Sequence, residues 1–102
     1  MDKLTFAPVQ ITLYDKDDEP IQTYSVSVVR WGLLKQAIKL SKEINIKDAE
    51  IEESAMDAIS GFVCRLFGDK FTPQQLDDGA DISEIMTAFR AVINRAAAVG
   101  NV

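Results

Sequence analysis

The amino-acid sequence predicts an α+β domain in which an N-terminal β-hairpin precedes a small bundle of helices. In the first third, apolar and polar residues alternate with the period of two that is typical of a half-buried strand. From about residue 30 onward, apolar residues recur at the spacing of a helix. With 102 residues, 47% of them hydrophobic, the chain is large enough for one domain with its own core. We therefore expect a single domain over 1–102, with the hairpin at about 5–29 and the helical part at about 30–98.

The hairpin is predicted from two runs of strand-forming residues and a polar turn. The buried face of the first strand consists of Val9, Ile11 and Leu13. A polar run that ends at Pro20 predicts the turn, and residues 21–29 predict the second strand. One face of that strand carries Gln22, Tyr24, Val26 and Val28. Because a lone hairpin is only marginally stable in water, its apolar face must pack on the helices.

Three main helices and one short helix are predicted after the hairpin. The first covers about 30–44, and a linker at 45–53 separates it from the second, at about 54–67. Ser54, with an acid three residues later, is expected to form a capping box at the start of the second helix. Gly68 is expected at the position just after its end, where glycine is favoured.

The two remaining helices are predicted mainly from their ends. Thr72 is a strong N-cap signal, because Pro73 follows it directly and a glutamine stands three residues on. This helix must be short, since a turn signal at Gly79 ends it. Asp81 is expected to cap the last helix, with an acid, Glu84, at its third position, and Gly100 to lie just past its end.

The apolar faces of the helices predict the core. On the first helix the apolar positions are Leu33, Leu34, Ala37, Ile38 and Leu40. We expect the second and last helices to pack through Phe62, Leu66, Ile85 and Phe89. The apolar stripe of the last helix begins at Ile82. Trp31 is interpreted as a core residue, with a binding anchor as the alternative. Cys64 is expected to be a small buried hydrophobic residue and not a nucleophile.

Composition excludes several classes of function. The net charge is −5, which disfavours a protein that grips nucleic acid phosphates or an anionic membrane. There is no histidine, so the commonest general base and metal ligand is missing. The single cysteine allows neither an intrachain disulfide nor a cysteine-based zinc site. No apolar run approaches the ~20 residues of a membrane span, and the N-terminus lacks signal-peptide features. We therefore expect a soluble protein of a reducing cytoplasm.

The acidic runs do not predict a catalytic or metal site. Residues 15–19 suggest a calcium loop, but Pro20 and Val26 occupy the positions where an EF-hand requires glycine and glutamate. The acids at 50–53 and 77–78 are explained by helix N-termini and by solvation. We expect no catalytic residue, no metal ligand and no cofactor, so the chain is predicted not to be an enzyme.

Uneven charge points instead to binding of partners. Residues 1–47 carry a net charge of +1 and residues 48–102 a net charge of −6. One face of the first helix carries Lys35, Lys39 and Lys42. This face is either solvated or bound to an acidic partner, which includes another copy of the chain. Near Val26 and Val28 the strand edge lacks a charged residue, and it either accepts a strand from a partner or is covered by the chain itself.

Several stretches, taken in order, carry a resemblance to a known family. They are Ile11-Thr12-Leu13-Tyr14-Asp15, Val29-Arg30-Trp31-Gly32-Leu33-Leu34-Lys35-Gln36-Ala37-Ile38, Ile59-Ser60-Gly61-Phe62-Val63, Leu66-Phe67-Gly68-Asp69-Lys70-Phe71-Thr72, Asp77-Asp78-Gly79-Ala80-Asp81 and Val92-Ile93-Asn94-Arg95. Over about 9–96 the chain resembles the tail assembly chaperones of long-tailed phages of Gram-positive bacteria.

The resemblance implies a non-enzymatic function in tail morphogenesis. Such chaperones coat the tape-measure protein in the host cytoplasm and promote polymerisation of tail-tube subunits around it. They are absent from the mature virion, and many also exist in a frameshift-extended form that contacts tube subunits. The expected partners are thus the tape-measure protein, the tail-tube protein and further copies of the chain. The alternatives are a structural tail-tube or head–tail connector subunit and, from another class, a small enzyme with carboxylate chemistry.

Overall fold

The computed structural model describes residues 7–43 and 53–100 of the chain. Its elements are β1 (Val9–Tyr14), β2 (Pro20–Val26), α1 (Trp31–Glu43), α2 (Glu53–Leu66), α3 (Pro73–Gly79) and α4 (Ile82–Gly100). A two-stranded antiparallel hairpin followed by helices confirms the predicted α+β class. The predicted linker at 45–53 lies outside the described residues except for its last residue, which already belongs to α2.

The hairpin pairs β1 with β2 so that apolar residues face each other. Val9 lies opposite Val26, and Ile11 lies opposite Tyr24. The register shifts by one residue near the turn, which leaves Ile21 without an opposite residue. The second strand differs from its predicted range of 21–29 at both ends. Proline is tolerated as the first residue of a strand, so β2 begins at position 20, and it ends at Val26.

The acidic run between the strands is a turn organised by one aspartate. The carboxylate of Asp15 accepts hydrogen bonds from the backbone N–H groups of Asp17, at 2.8 Å, and Glu19, at 3.0 Å. Asp18 adopts a left-handed conformation with φ of 63°, which aspartate tolerates better than most residues. These local hydrogen bonds give the first acid of the run a structural role in the turn.

The helix starts confirm two of the three predicted N-caps. Thr72 and Gln75 form the reciprocal capping box of α3, with hydrogen bonds of 3.1 and 2.8 Å. Asp81 caps α4, because its carboxylate accepts hydrogen bonds from both the backbone N–H and the hydroxyl of Ser83. The prediction for Ser54 is wrong. Since α2 already begins at Glu53, Ser54 lies inside the first turn.

The end of α2 is a Schellman motif, as Gly68 predicts. The Gly68 N–H donates to the carbonyl of Arg65 at 3.1 Å, and the Asp69 N–H donates to the carbonyl of Cys64 at 2.8 Å. Gly68 has a φ of 73°, a conformation that costs glycine little. At the end of α4 the structure differs from the prediction, because α4 includes Gly100 as its last residue.

The core lies between the buried face of β1 and the helices. It consists of Val9, Ile11, Leu13, Ala37, Leu40, Ile59, Phe62, Val63, Cys64, Leu66, Phe67, Phe71, Leu76, Ala88, Phe89 and Val92. The rings of Phe62 and Phe89 meet edge to face with centroids 5.7 Å apart. Ile85 is half-buried and packs against this cluster. The predicted contact between α2 and α4 is therefore confirmed.

Three residues assigned to the core from the sequence, Trp31, Ile38 and Ile82, are exposed. Trp31 is 68% exposed, because it lies about 180° around α1 from the buried Leu40. Ile82 is 81% exposed. It continues the stripe of Phe89 two turns toward the N-terminus of α4, beyond the part of the helix that the core covers. The interpretation of Trp31 as a core residue is wrong.

Candidate interaction surfaces

One candidate surface is the outer side of α1, which we call the α1 face. It consists of Trp31, Lys35, Ile38, Lys39 and Lys42. Along the sequence, Trp31, Lys35, Ile38 and Lys42 are separated by four, three and four residues. At this spacing they lie above one another on one side of the helix. The three lysines predicted from the sequence are exposed, and Ile38 is 39% exposed beside them. The structure thus adds two apolar side chains to the predicted basic face.

A second surface is an apolar groove between α2, α3 and α4, which we call the α2–α4 groove. Its volume is about 540 Å³. Its apolar walls include Met56, Ile82, Ile85 and Met86, and its acidic residues are Glu53, Asp57 and Asp77. Met56 is 56% exposed, and together with Ile82 it leaves apolar surface in contact with water. Exposed apolar surface bordered by charge is typical of a protein-binding site.

Sequence reasoning missed this groove, although one signal was present. Met56 stands outside the apolar stripe of α2 that begins at Ala55 and continues to Ile59. An apolar residue off the stripe is expected to be exposed. That α3 lies beside α2 at this point is a tertiary contact, which no local pattern encodes.

A third feature is an acidic cleft between the hairpin turn and the start of α4, with a volume of about 430 Å³. Its carboxylates come from Asp15, Asp18, Asp78, Asp81 and Glu84. Burial, together with the charge of Glu84, raises the pKa of the Tyr14 phenol, which donates a hydrogen bond to the Glu84 carboxylate at 3.4 Å. Hydrogen bonds from Ser83 lower the pKa of Asp81.

Two of the acids in this cleft stabilise the backbone of the elements beside it. Asp15 holds the hairpin turn and Asp81 caps α4, while Glu84, expected at the third position of the cap, binds Tyr14 instead. Within the described residues, no three or more acidic, cysteine or histidine side chains are grouped so that they could hold a metal ion. The carboxylates of Asp15, Asp81 and Glu84 therefore already have hydrogen-bond partners within the chain.

Two side chains that could carry chemistry, Arg95 and Cys64, are buried. Arg95 is a buried cation on α4 that donates hydrogen bonds of 2.9 Å to the carbonyls of Ser27 and Ala7. These hydrogen bonds connect α4 to the segment before β1 and to the segment after β2. Cys64 is buried, as predicted, and burial raises the pKa of its thiol, with smaller contributions from Asp69 and Asp77.

The edge residues named from the sequence occupy different environments. Val26 is half-buried at the end of β2, whereas Val28 lies beyond the strand and is exposed. Among the described residues β2 pairs only with β1, while β1 also forms an isolated bridge through Leu13 to Ala80. Binding of a partner strand near Val26 and Val28 stays a prediction.

Comparison with known proteins gives one match. The family described as phage tail chaperone protein matches residues 7–101, which include the hairpin and all four described helices. No curated protein and no solved structure matches the chain. Of the helices that the structure describes, none combines the length and the hydrophobicity that crossing a membrane requires.

Proposed function

Because the chain belongs to the phage tail chaperone family, we propose that it binds the tape-measure protein and promotes polymerisation of tail-tube subunits around it. The family match over residues 7–101 carries this proposal, since it includes nearly the whole chain. It also confirms the resemblance to tail assembly chaperones. We also propose that the phage encoding this chain infects a Gram-positive bacterium.

The exposed surfaces support a binding function. A chaperone must cover apolar segments of a client that would otherwise aggregate, and it needs apolar surface of its own to do so. The α1 face and the α2–α4 groove both combine exposed apolar side chains with charge. Either surface suits an amphipathic segment, and the two differ in the sign of the charge that they would attract.

The proposed role is non-enzymatic and needs no cofactor. In the acidic cleft, the carboxylates of Asp15 and Asp81 already accept hydrogen bonds from backbone N–H groups. The thiol of Cys64 is buried and its pKa is raised, which opposes formation of a nucleophilic thiolate. We place the chaperone in the host cytoplasm, as a single domain that forms homo-oligomers and leaves before the virion is complete.

Co-purification tests the proposed partner. The tape-measure protein of the same phage is co-expressed with the tagged chain, and the complex is isolated through the tag. We expect the two proteins to elute together, and a matched acidic domain of similar size to retain nothing. Absence of the tape-measure protein from the eluate, with the chain folded by circular dichroism, contradicts the proposed binding.

A structural subunit of the tail tube or of the head–tail connector is the competing assignment. Mass spectrometry of purified virions separates it from a chaperone. A chaperone is expected to be missing from the particles while the tail-tube protein is abundant. A stoichiometric amount of the chain in intact virions would instead assign it to the particle.

A further inference from the structure

We propose that the α1 face of one copy docks into the α2–α4 groove of a second copy, so that subunits join head to tail. This inference deepens the proposed function, on which it rests for its biological meaning, by naming the two surfaces through which copies assemble. Each surface exposes apolar side chains that no described element covers.

The charges of the two surfaces are complementary. The α1 face carries Lys35, Lys39 and Lys42, and the groove carries Glu53, Asp57 and Asp77. A second copy therefore brings three cations to three carboxylates, whereas two like surfaces would repel each other. The apolar residues are complementary as well, because Trp31 and Ile38 of the helix would contact the methionine and isoleucine side chains of the groove. Methionine is flexible and adapts its shape to a partner.

The spacing of the groups also agrees. Trp31 and Ile38 are seven residues apart on α1, which corresponds to about 10 Å along a helix. The α2 wall of the groove runs from Glu53 to Ser60, again seven residues and about 10 Å. The helix and the groove thus match in length.

The charged residues on each side have the same helical period. Lys35 and Lys39 are four residues apart on α1, and Glu53 and Asp57 are four residues apart on α2. Residues at this spacing lie on one side of a helix. Two ion pairs can therefore form along one edge of the docked helix while its apolar side chains enter the groove.

The two surfaces share no residue, since one belongs to α1 and the other to α2, α3 and α4. A contact between two different patches is heterologous, so each bound pair keeps one free face and one free groove. Further copies can add until a ring closes or an open chain grows. This geometry suits a protein that must cover a long client.

Two variants block one surface each. Trp31→Asp changes the α1 face, and Ile82→Asp changes the groove. Both positions are the first residue of a helix and are largely exposed, so an acid there is compatible with the fold and with the helix dipole. Ile21→Asp is the matched control, because Ile21 is 64% exposed on β2 and lies outside both surfaces.

Light scattering and analytical ultracentrifugation of the purified chain, without tape-measure protein, provide the test. We expect the wild-type chain and Ile21→Asp to form species larger than dimers. Trp31→Asp and Ile82→Asp should each stay monomeric, with association weakened at least about tenfold, which corresponds to about 1.4 kcal/mol. An equal mixture of these two variants should form dimers, since one supplies an intact groove and the other an intact face.

Added salt and the double variant Lys35→Glu/Lys39→Glu give a second, independent test of the α1 face. Salt should weaken wild-type association because exposed pairs are screened over about 8–10 Å. The double variant should be monomeric even if Trp31→Asp fails to fold, and its mixture with Ile82→Asp should again give dimers.

Several results would overturn the inference. These are a wild-type chain that is monomeric up to about 1 mM, blocked variants that assemble like the wild type, and a mixture that stays monomeric. Loss of tape-measure binding by Ile82→Asp with unchanged self-association would assign the groove to the client. That result would refute self-docking and leave the proposed function standing. Self-association without any tape-measure binding would refute the proposed function alone.

Discussion

Gly79 is fixed by the close approach of α3 to β1. A Cβ atom at this position would lie 2.9 Å from the carbonyl oxygen of Tyr14, and the next residue, Ala80, bridges Leu13. Gly61, inside α2, has no atom within 4 Å of the corresponding point. A side chain should therefore be tolerated at Gly61 and should disturb the structure at Gly79.

Alanine substitution distinguishes these two environments. Gly79→Ala should lower the free energy of unfolding by about 1–3 kcal/mol, because the backbone of β1 must move away. Gly61→Ala should raise it by about 0.5–1 kcal/mol, because alanine favours the helix and nothing obstructs its methyl group. Urea unfolding measures both changes. A Gly79→Ala variant that is as stable as the wild type, or more stable, would contradict the contact at Gly79.

The reactivity of Cys64 tests the burial of the thiol. Its side chain is 3% exposed, and burial raises its pKa, so less thiolate is present at pH 8 than for a free cysteine. We expect a thiol reagent to label the folded chain at least about tenfold more slowly than the same chain in urea. Equal labelling rates would mean that the thiol is not buried in the core.

At the scale of elements, the parts that could be predicted are those encoded locally. The alternation at Val9, Ile11 and Leu13, the capping box at Thr72 and the glycine after α2 each depend on a few neighbouring residues. The end of β2 could not be predicted in this way. Its sequence continues to favour a strand, while Arg95 of α4 binds the carbonyl of Ser27 directly after the strand ends.

Arg95 should therefore contribute to holding the hairpin on the helices. Arg95→Met keeps much of the side-chain volume and removes the hydrogen bonds to Ser27 and Ala7, with an expected loss of about 1–3 kcal/mol in unfolding free energy. Arg90→Met is the matched control on the same helix, since Arg90 is exposed, and should change stability by less than about 0.5 kcal/mol. Equal effects of the two substitutions would show that the hydrogen bonds of Arg95 contribute little.

At the scale of the whole molecule, positive and negative charge lie on two separate surfaces, and each surface also exposes apolar side chains. The lysines of α1 could be predicted as one face from their spacing, and the same spacing places Trp31 and Ile38 beside them, but the exposure of these two apolar residues could not be predicted. Whether an apolar residue is covered depends on which elements pack beside it. The α2–α4 groove was missed for the same reason, because three helices that are separate in sequence form it.

The soluble yield of the tape-measure protein is the measurement that tests the central claim most directly. The tape-measure protein is expressed alone, with the chain, and with an unrelated acidic domain of similar size, and its soluble fraction is quantified in each case. A tail assembly chaperone should raise that fraction markedly, whereas the unrelated domain should leave it unchanged. A tape-measure protein that stays equally insoluble beside the folded, soluble chain would contradict the proposed function.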